Sequence, residues 1–317
     1  MGFETFYGSL AAKPTKWAPL LVQDNRFIET PKRDGYHLTE DLVDRTISGI
    51  RDQQQANTGR PFFAYLAFGA NHAPLHAPKP YIEKYKGKFD QGWDKVRGGN
   101  LRAPEDARGH PGRRQLTARP KEIPGWDDMP EAFKPVLRRE MEVYAGFLEH
   151  TDYQVGRIVD TLEKLGILEN TLIYYIVGDN GASAEGGING SFNEMSYFNG
   201  LQSLETAEYL SARIDKLGGP ESYNHYAVSW AHAMNTPFQW TKQVASHFGG
   251  TRNGMVVHWP KKIKGKGDVR SQFGHVIDVA PTILEVRRIC RPKVVKQHAA
   301  DPMEGTSLVY TFDDAKA

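Results

Sequence analysis

The apolar run TLIYYIV, residues 171–177, stops abruptly at the glycine-rich stretch GDNGASAEGG, and few folds accommodate that junction. An unbroken run of β-branched and aromatic residues suits a strand buried on both faces. Its end delivers a carboxylate and an amide, Asp179 and Asn180, to a loop. Upstream, Tyr144, Phe147, Leu148, Val155, Ile158, Val159, Leu162 and Leu165 recur at helical spacing, and Gly166 sits where a helix stops. The same order occurs earlier. Leu38, Leu42, Val43, Ile47 and Ile50 line a helix, and PFFAYLAF, Pro61–Phe68, follows a turn at Gly59 as a buried strand. GMVVHWP at 254–260 predicts another strand, and HVIDVAPTILEV at 275–286 another helix. Helices alternating with continuously apolar strands predict an α/β fold, a mostly parallel sheet between helices. Chemistry in such folds collects beyond the carboxyl ends of the strands, which directs attention to GANHAPLHAP and GDNG. Residues 183–245, aromatic and polar with little periodicity, read as an insertion that shapes a pocket.

The single Cys290 allows no internal disulfide and no CxxC metal site, so a bound metal would be held by oxygen or imidazole. The apolar runs Phe62–Phe68 and Leu172–Val177 both fall far short of the roughly 20 residues that cross a bilayer. Met1 is followed by no basic-then-apolar signal, and the expected location is cytoplasmic, with no membrane partner. The formal charge of +2 hides two basic stretches. Residues 97–119 carry a net +4 and residues 286–297 a net +5. Neither interleaves its charges with aromatics, as a nucleic-acid surface would. They read as solvated, irregular segments at 97–119 and 286–300 within a single domain spanning 1–317, and no nucleic-acid partner is expected.

Asp179 and Asn180 present adjacent hard oxygen donors that suit Ca²⁺ or Mg²⁺, although D-N-G is also ordinary turn punctuation. His72 lies in NHAPLHAP, where Pro74 forbids the helix that a zinc pair with His76 would need. It is either a proton-handling or anion-contacting histidine or a buried structural one. Lys242, just before a Gly-Gly pair, could aim an ammonium at an oxyanion, or simply be exposed. His247 and Arg252 share its stretch and could line the same anion site. C-R-P-K-V at Cys290 begins like the C-x-P-x-R signature of a cysteine converted to formylglycine, but Val294 stands where Arg belongs.

Taken together, GFETFYG, PFFAYLAFGANHAPLHAP, GDNGASAEGG, TKQVASHFGGTRNGMVVHWP and HVIDVAPTILE resemble a bacterial arylsulfatase of the alkaline phosphatase superfamily, in family order. The resemblance implies an alkaline-phosphatase-like core and hydrolysis of small-molecule sulfate esters by a formylglycine hydrate beside Ca²⁺. It implies Asp179 and Asn180 as metal ligands, His72 as the catalytic histidine that also contacts sulfate, and Lys242 as a sulfate-binding lysine. The family's paired aspartates and its C/S-x-P-x-R nucleophile helix are not found in these residues. The expectation is therefore a partial sulfatase domain, incomplete at its N-terminus, with formylglycine absent, inactive alone and completed by a separately encoded N-terminal segment. A phosphate-ester hydrolase of the same superfamily and a non-catalytic binder of sulfated ligands are the alternatives.

Overall fold

In the computed structural model, residues 2–10, 14–56, 59–101, 116–290, 294–295 and 298–317 are described. In chain order the strands and helices begin with β1 (Tyr7–Gly8), β2 (Leu21–Gln23), β3 (Arg26–Ile28), α1 (Leu38–Gln55), α2 (Lys79–Glu83), α3 (Gly92–Leu101) and α4 (Lys134–Lys164). They continue with β4 (Ile173–Ile176), α5 (Met195–Phe198), α6 (Ala207–Ser211), α7 (Val228–Met234), α8 (Phe248–Thr251) and β5 (Met255–His258), and end with α9 (Val279–Val286), β6 (Val294–Val295) and β7 (His298–Ala299). They fall into two compact units. The first takes Met1–Ala103, Arg114–Lys164 and Asn180–Arg252; the second takes Leu165–Asp179 and Asn253–Ala317.

The first unit is built on α4. Val136, Leu137, Met141, Val143 and Phe147 point into its main core, where they meet Trp93 of α3, Trp126 and Trp230 of α7. The Trp93 ring stands edge-on to Trp126 at 4.7 Å and to Trp230 at 5.6 Å, and Trp230 Nε1 donates to the Leu137 carbonyl at 2.8 Å. Trp93 Nε1 likewise donates to the Pro124 carbonyl at 3.2 Å, so these two indoles bury their rings without orphaning their polar edges. α1 behaves as its periodicity predicts: Leu38, Leu42, Val43, Ile47 and Ile50 are all buried. His37 caps it through a side chain that accepts from the Thr39 amide at 3.3 Å, and Tyr36 donates to Asp41 in the first turn at 3.0 Å. α4 is longer than its apolar stripe suggests. Its buried positions lie mainly in the N-terminal half, while Leu148 is exposed, and Gly166 (φ 70°) follows its end.

In the second unit β4 pairs with β5, with Ile173 opposite His258 and Ile176 opposite Met255. α9 is preceded by a single tight turn closed by His275 and Asp278, each bonding the other's end of the turn. Asp278 then accepts from the Thr306 amide at 2.7 Å, and Thr282 accepts from Leu308 at 2.8 Å, which fastens residues 306–308 onto the helix.

Several expectations change. The ladders between named strands among the described residues are antiparallel, so the predicted parallel arrangement is not seen there. Pro61–Phe68 enters no ladder among the described residues, and Phe63 and Tyr65 are exposed, 64% and 76%. Apolar character alone made that run read as a buried strand, whereas burial needs a neighbouring strand as well as an apolar sequence. Residues 183–245 are not a peripheral insertion: Leu210, Leu217, Tyr226 and Trp230 belong to the main core. In the basic stretch, Arg97 is buried on α3 and donates to the Thr117 carbonyl and hydroxyl, both at 2.7 Å, and Arg119 pairs with Asp94 at 2.7 Å. These two arginines are held within the fold. Residues 102–115 lie outside the described part of the chain. No described helix is long and apolar enough to cross a membrane.

Candidate active site

Three loops of the first unit meet around Lys242. The first, Asn180–Gly187, continues from the GDNG turn. Its Gly181 amide donates to Gly250 at 3.0 Å, and Ala182 is held by the Asn235 side chain at 3.1 Å. The second, residues 239–250, is laid against it through the Lys242 amide, which donates to the Ala182 carbonyl at 2.9 Å. Only backbones without side chains approach this closely: a Cβ on Gly181 would stand 1.6 Å from the Gly249 carbonyl oxygen, and one on Gly249 would stand 2.1 Å from that of Trp240. The third loop carries His72 and is fixed from behind, since Leu75 and Ala77 donate to the carbonyls of Asn224 and Gly218.

The side chains converge on one contact. Lys242 Nζ lies 3.1 Å from His72 Nε2. His72 Nδ1 is 2.9 Å from the Ala73 carbonyl, which can only accept, so Nδ1 carries the proton and Nε2 presents its lone pair to the ammonium. Lys242 Nζ also pairs with Glu185 at 3.2 Å. An ammonium has three N–H bonds, and these contacts use two.

Behind His72 sits Lys16, fully buried, whose Nζ donates to the His72 carbonyl at 2.9 Å. Burial pushes its ammonium down to about 7, opposed in part by the carboxylate of Glu194. Glu185, Glu194 and His225 bring one ligand atom each within 4.8 Å of one another and could hold a metal ion. The same carboxylates already face Lys242 and Lys16, so a divalent ion would compete with both lysines.

Of the residues singled out in the sequence, His72 and Lys242 touch. Asn180 shares their unit, and its Nδ2 donates to the Gly181 carbonyl at 3.0 Å. Asp179 is exposed at the end of the second unit's segment. His76 proves structural: it is buried, Nδ1 accepts from the Lys16 amide at 3.2 Å, Nε2 meets the Ser222 carbonyl at 2.7 Å, and burial lowers its pKa to about 4. His247 and Arg252 are occupied elsewhere, His247 against Ser246 and the Trp240 ring, Arg252 over the rings of Phe238 and Phe248. Tyr226 and Trp230, aromatics of the 183–245 stretch, are core residues. Cys290 is exposed, as a free thiol. Sequence reasoning missed Glu185 and Lys16. Glu185 had a signal, a lone carboxylate amid small residues in the GASAEGG loop; Lys16 had none, because lysines are almost never fully buried. Two surface clefts, one lined by Phe273, Asp278 and Tyr310 and one by Asp44, Arg51 and Arg157, include none of these site residues.

Comparison with known proteins bears on the chain as a whole. A family model described as Sulfatase matches residues 1–287. A sulfatase of Schizosaccharomyces pombe, itself uncharacterized, is 29% identical over 279 residues, covering 86% of this chain and 47% of its own. An arylsulfatase of Klebsiella aerogenes is 29% identical over 264 residues, covering 78% and 51%. The chain therefore spans about half the length of the curated relatives it matches. Among solved structures, Ps i-CgsB in complex with k-i-k-neocarrahexaose superposes with a TM-score of 0.56 at 17% identity, over 99% of this chain and 51% of that one. BT4656 in complex with its substrate D-glucosamine-2-N,6-O-disulfate gives 0.56 at 15% identity, over 99% and 59%. At these identities the likeness is one of fold, the alkaline-phosphatase-like α/β fold.

Proposed function

This chain belongs to the sulfatase family, and from that premise we propose that it supplies the anion-binding and proton-handling part of a site that hydrolyses sulfate esters of small molecules or sugars. The observation that carries this reading is the 3.1 Å contact between Lys242 and His72 beside the Asn180–Gly187 loop. The third N–H of Lys242 is the donor offered to a sulfate oxygen. A charge-assisted hydrogen bond of this kind is among the strong ones, and it strengthens as negative charge grows on the departing group. The proton that an ester oxygen needs on leaving is held on Lys242 Nζ, in its hydrogen bond to the lone pair of His72 Nε2, so the pair keeps a donor at that point.

Asp179 and Asn180 are the residues that would hold Ca²⁺. Their donor chemistry fits a hard cation: a carboxylate and an amide whose nitrogen is bonded to Gly181, which assigns the carbonyl oxygen to the other side of the amide. Bound there, the ion would supply positive charge to the sulfate oxygens. Two donors fall short of the 6 to 8 oxygens Ca²⁺ takes, so further ligands are required. No C/S-x-P-x-R run occurs within the 317 residues. Hydrolysis by formylglycine would draw its nucleophile from a segment outside them, and the chain alone would bind sulfate without turning over an ester.

Calorimetric titration with inorganic sulfate and inorganic phosphate tests the first part, with measurable sulfate binding expected for the wild-type chain. Supplying the nucleophile segment of a related sulfatase and assaying an aryl sulfate against an aryl phosphate tests the second. Preference for phosphate in both experiments would overturn the assignment in favour of phosphoryl chemistry.

A further inference from the structure

Lys242 has a long, freely rotating stem, yet its ammonium must stand at one place if it is to meet a sulfate oxygen and His72 at once. The surroundings supply an anchor. Glu185 Oε2 pairs with Lys242 Nζ at 3.2 Å, while Oε1 accepts from Gln243 Nε2 at 3.0 Å, so one carboxylate grips two consecutive side chains. That carboxylate is itself steadied by the Ser183 hydroxyl at 3.0 Å, and the hydroxyl accepts from the Glu185 amide at 3.2 Å. The Glu185 and Lys242 side chains are only 12% and 17% exposed, so the pair is poorly screened by solvent. The backbone of the lysine loop needs such support: Trp240 and Gln243 both adopt left-handed conformations, φ 64° and 74°, which surrounding contacts must hold in place.

We infer that Glu185 is a positioning residue for the anion-binding lysine: it fixes Lys242 Nζ at His72 with its remaining N–H available to the substrate oxyanion. This rests on the reading of Lys242 given above. A carboxylate beside an anion site also weakens the site's positive potential, so position and charge act in opposite directions on affinity. That opposition makes the two roles separable.

The experiment compares Glu185→Ala and Glu185→Gln in the full chain, with Lys242→Met as the reference, using two readouts: calorimetric affinity for inorganic sulfate, and the labelling rate of Lys242 by an amine-reactive reagent followed by mass spectrometry. Thermal transitions establish that each variant folds. If Glu185 positions the lysine, E185A weakens sulfate binding about tenfold and accelerates labelling of Lys242. E185Q, which keeps an acceptor oxygen for the ammonium, restores most of both. Tighter sulfate binding in both variants would show that Glu185 acts only through its charge and would overturn the proposal. Unchanged affinity and labelling in E185A would overturn it too, while loss of binding in K242M would leave the reading of Lys242 standing. A wild-type chain that binds no sulfate would overturn both.

Discussion

Lys242 and His72, 170 positions apart in the chain, share a hydrogen bond of 3.1 Å between Nζ and Nε2. The histidine accepts, because its other nitrogen is committed to the Ala73 carbonyl. Replacing Lys242 with Met removes a charged donor, typically about 1.5–3 kcal/mol per hydrogen bond, so sulfate affinity should fall roughly ten- to a hundredfold. His72→Ala should weaken sulfate binding less than Lys242→Met does, and in a preparation complemented with a nucleophile segment it should depress kcat for an aryl sulfate more than KM. Equal binding by wild type and K242M would remove Lys242 from the site.

Gly249 tests the loop that carries this lysine. A methyl group there would meet the carbonyl oxygens of Gln239 and Trp240 at 2.2 and 2.1 Å. Gly249→Ala should destabilise the protein by about 1–3 kcal/mol, the usual cost of overpacking, and lower sulfate affinity by shifting Lys242. The paired observation is a reduced denaturation midpoint together with weaker sulfate binding. Retention of both values would mean the loop yields without moving the ammonium.

Glu140, wholly buried on α4, accepts from the Ala227 amide at 3.2 Å, and burial holds its carboxyl well above the usual range, aided by the nearby Glu205 charge. Above pH 4.5 the unfolded chain releases a proton that the folded chain keeps, so this group costs stability progressively as pH rises. Glu140→Gln should raise the melting temperature at pH 7 by a few degrees, with the gain shrinking toward pH 4.5. A pH-independent difference would contradict the assignment.

Lys16 runs in the opposite sense. Its pKa falls from 10.5 to about 7 on folding. Between those values the unfolded chain carries a proton that the folded chain lacks, so stability from this residue climbs with pH across that window, by up to roughly 5 kcal/mol in total. Chemical denaturation of wild type and Lys16→Met from pH 7 to pH 10 should show curves whose difference grows in favour of wild type. Parallel curves would place the lysine in a more polar setting.

Local patterns were legible where a single face decides burial. α1 follows directly from the spacing of Leu42 and Ile47; β4 and β5 were legible as apolar runs, although Ile176 and Val256 are exposed rather than buried on both faces. Pro61–Phe68 was misread because an apolar run carries no information about whether a partner strand lies beside it. In the site, the residues with recognisable local contexts, His72 and Lys242, come together. Glu185 and Lys16 escaped because their significance lies in what they touch across 57 and 56 positions, which spacing does not encode. Arg97 shows the converse: a side chain counted as solvated is buried and donates to Thr117.

The chain passes from one compact unit to the other at Lys164–Leu165, returns at Asp179–Asn180 and leaves again at Arg252–Asn253. Neither unit is therefore an excisable stretch of sequence. Cutting at residue 252 would strip β4 of β5, its only described ladder partner, and ending at residue 164 would discard both the acidic turn and Lys242. Shortened versions made for crystallography or fusion would have to circumvent this weave by rejoining segments, since each body is assembled from separate stretches of sequence.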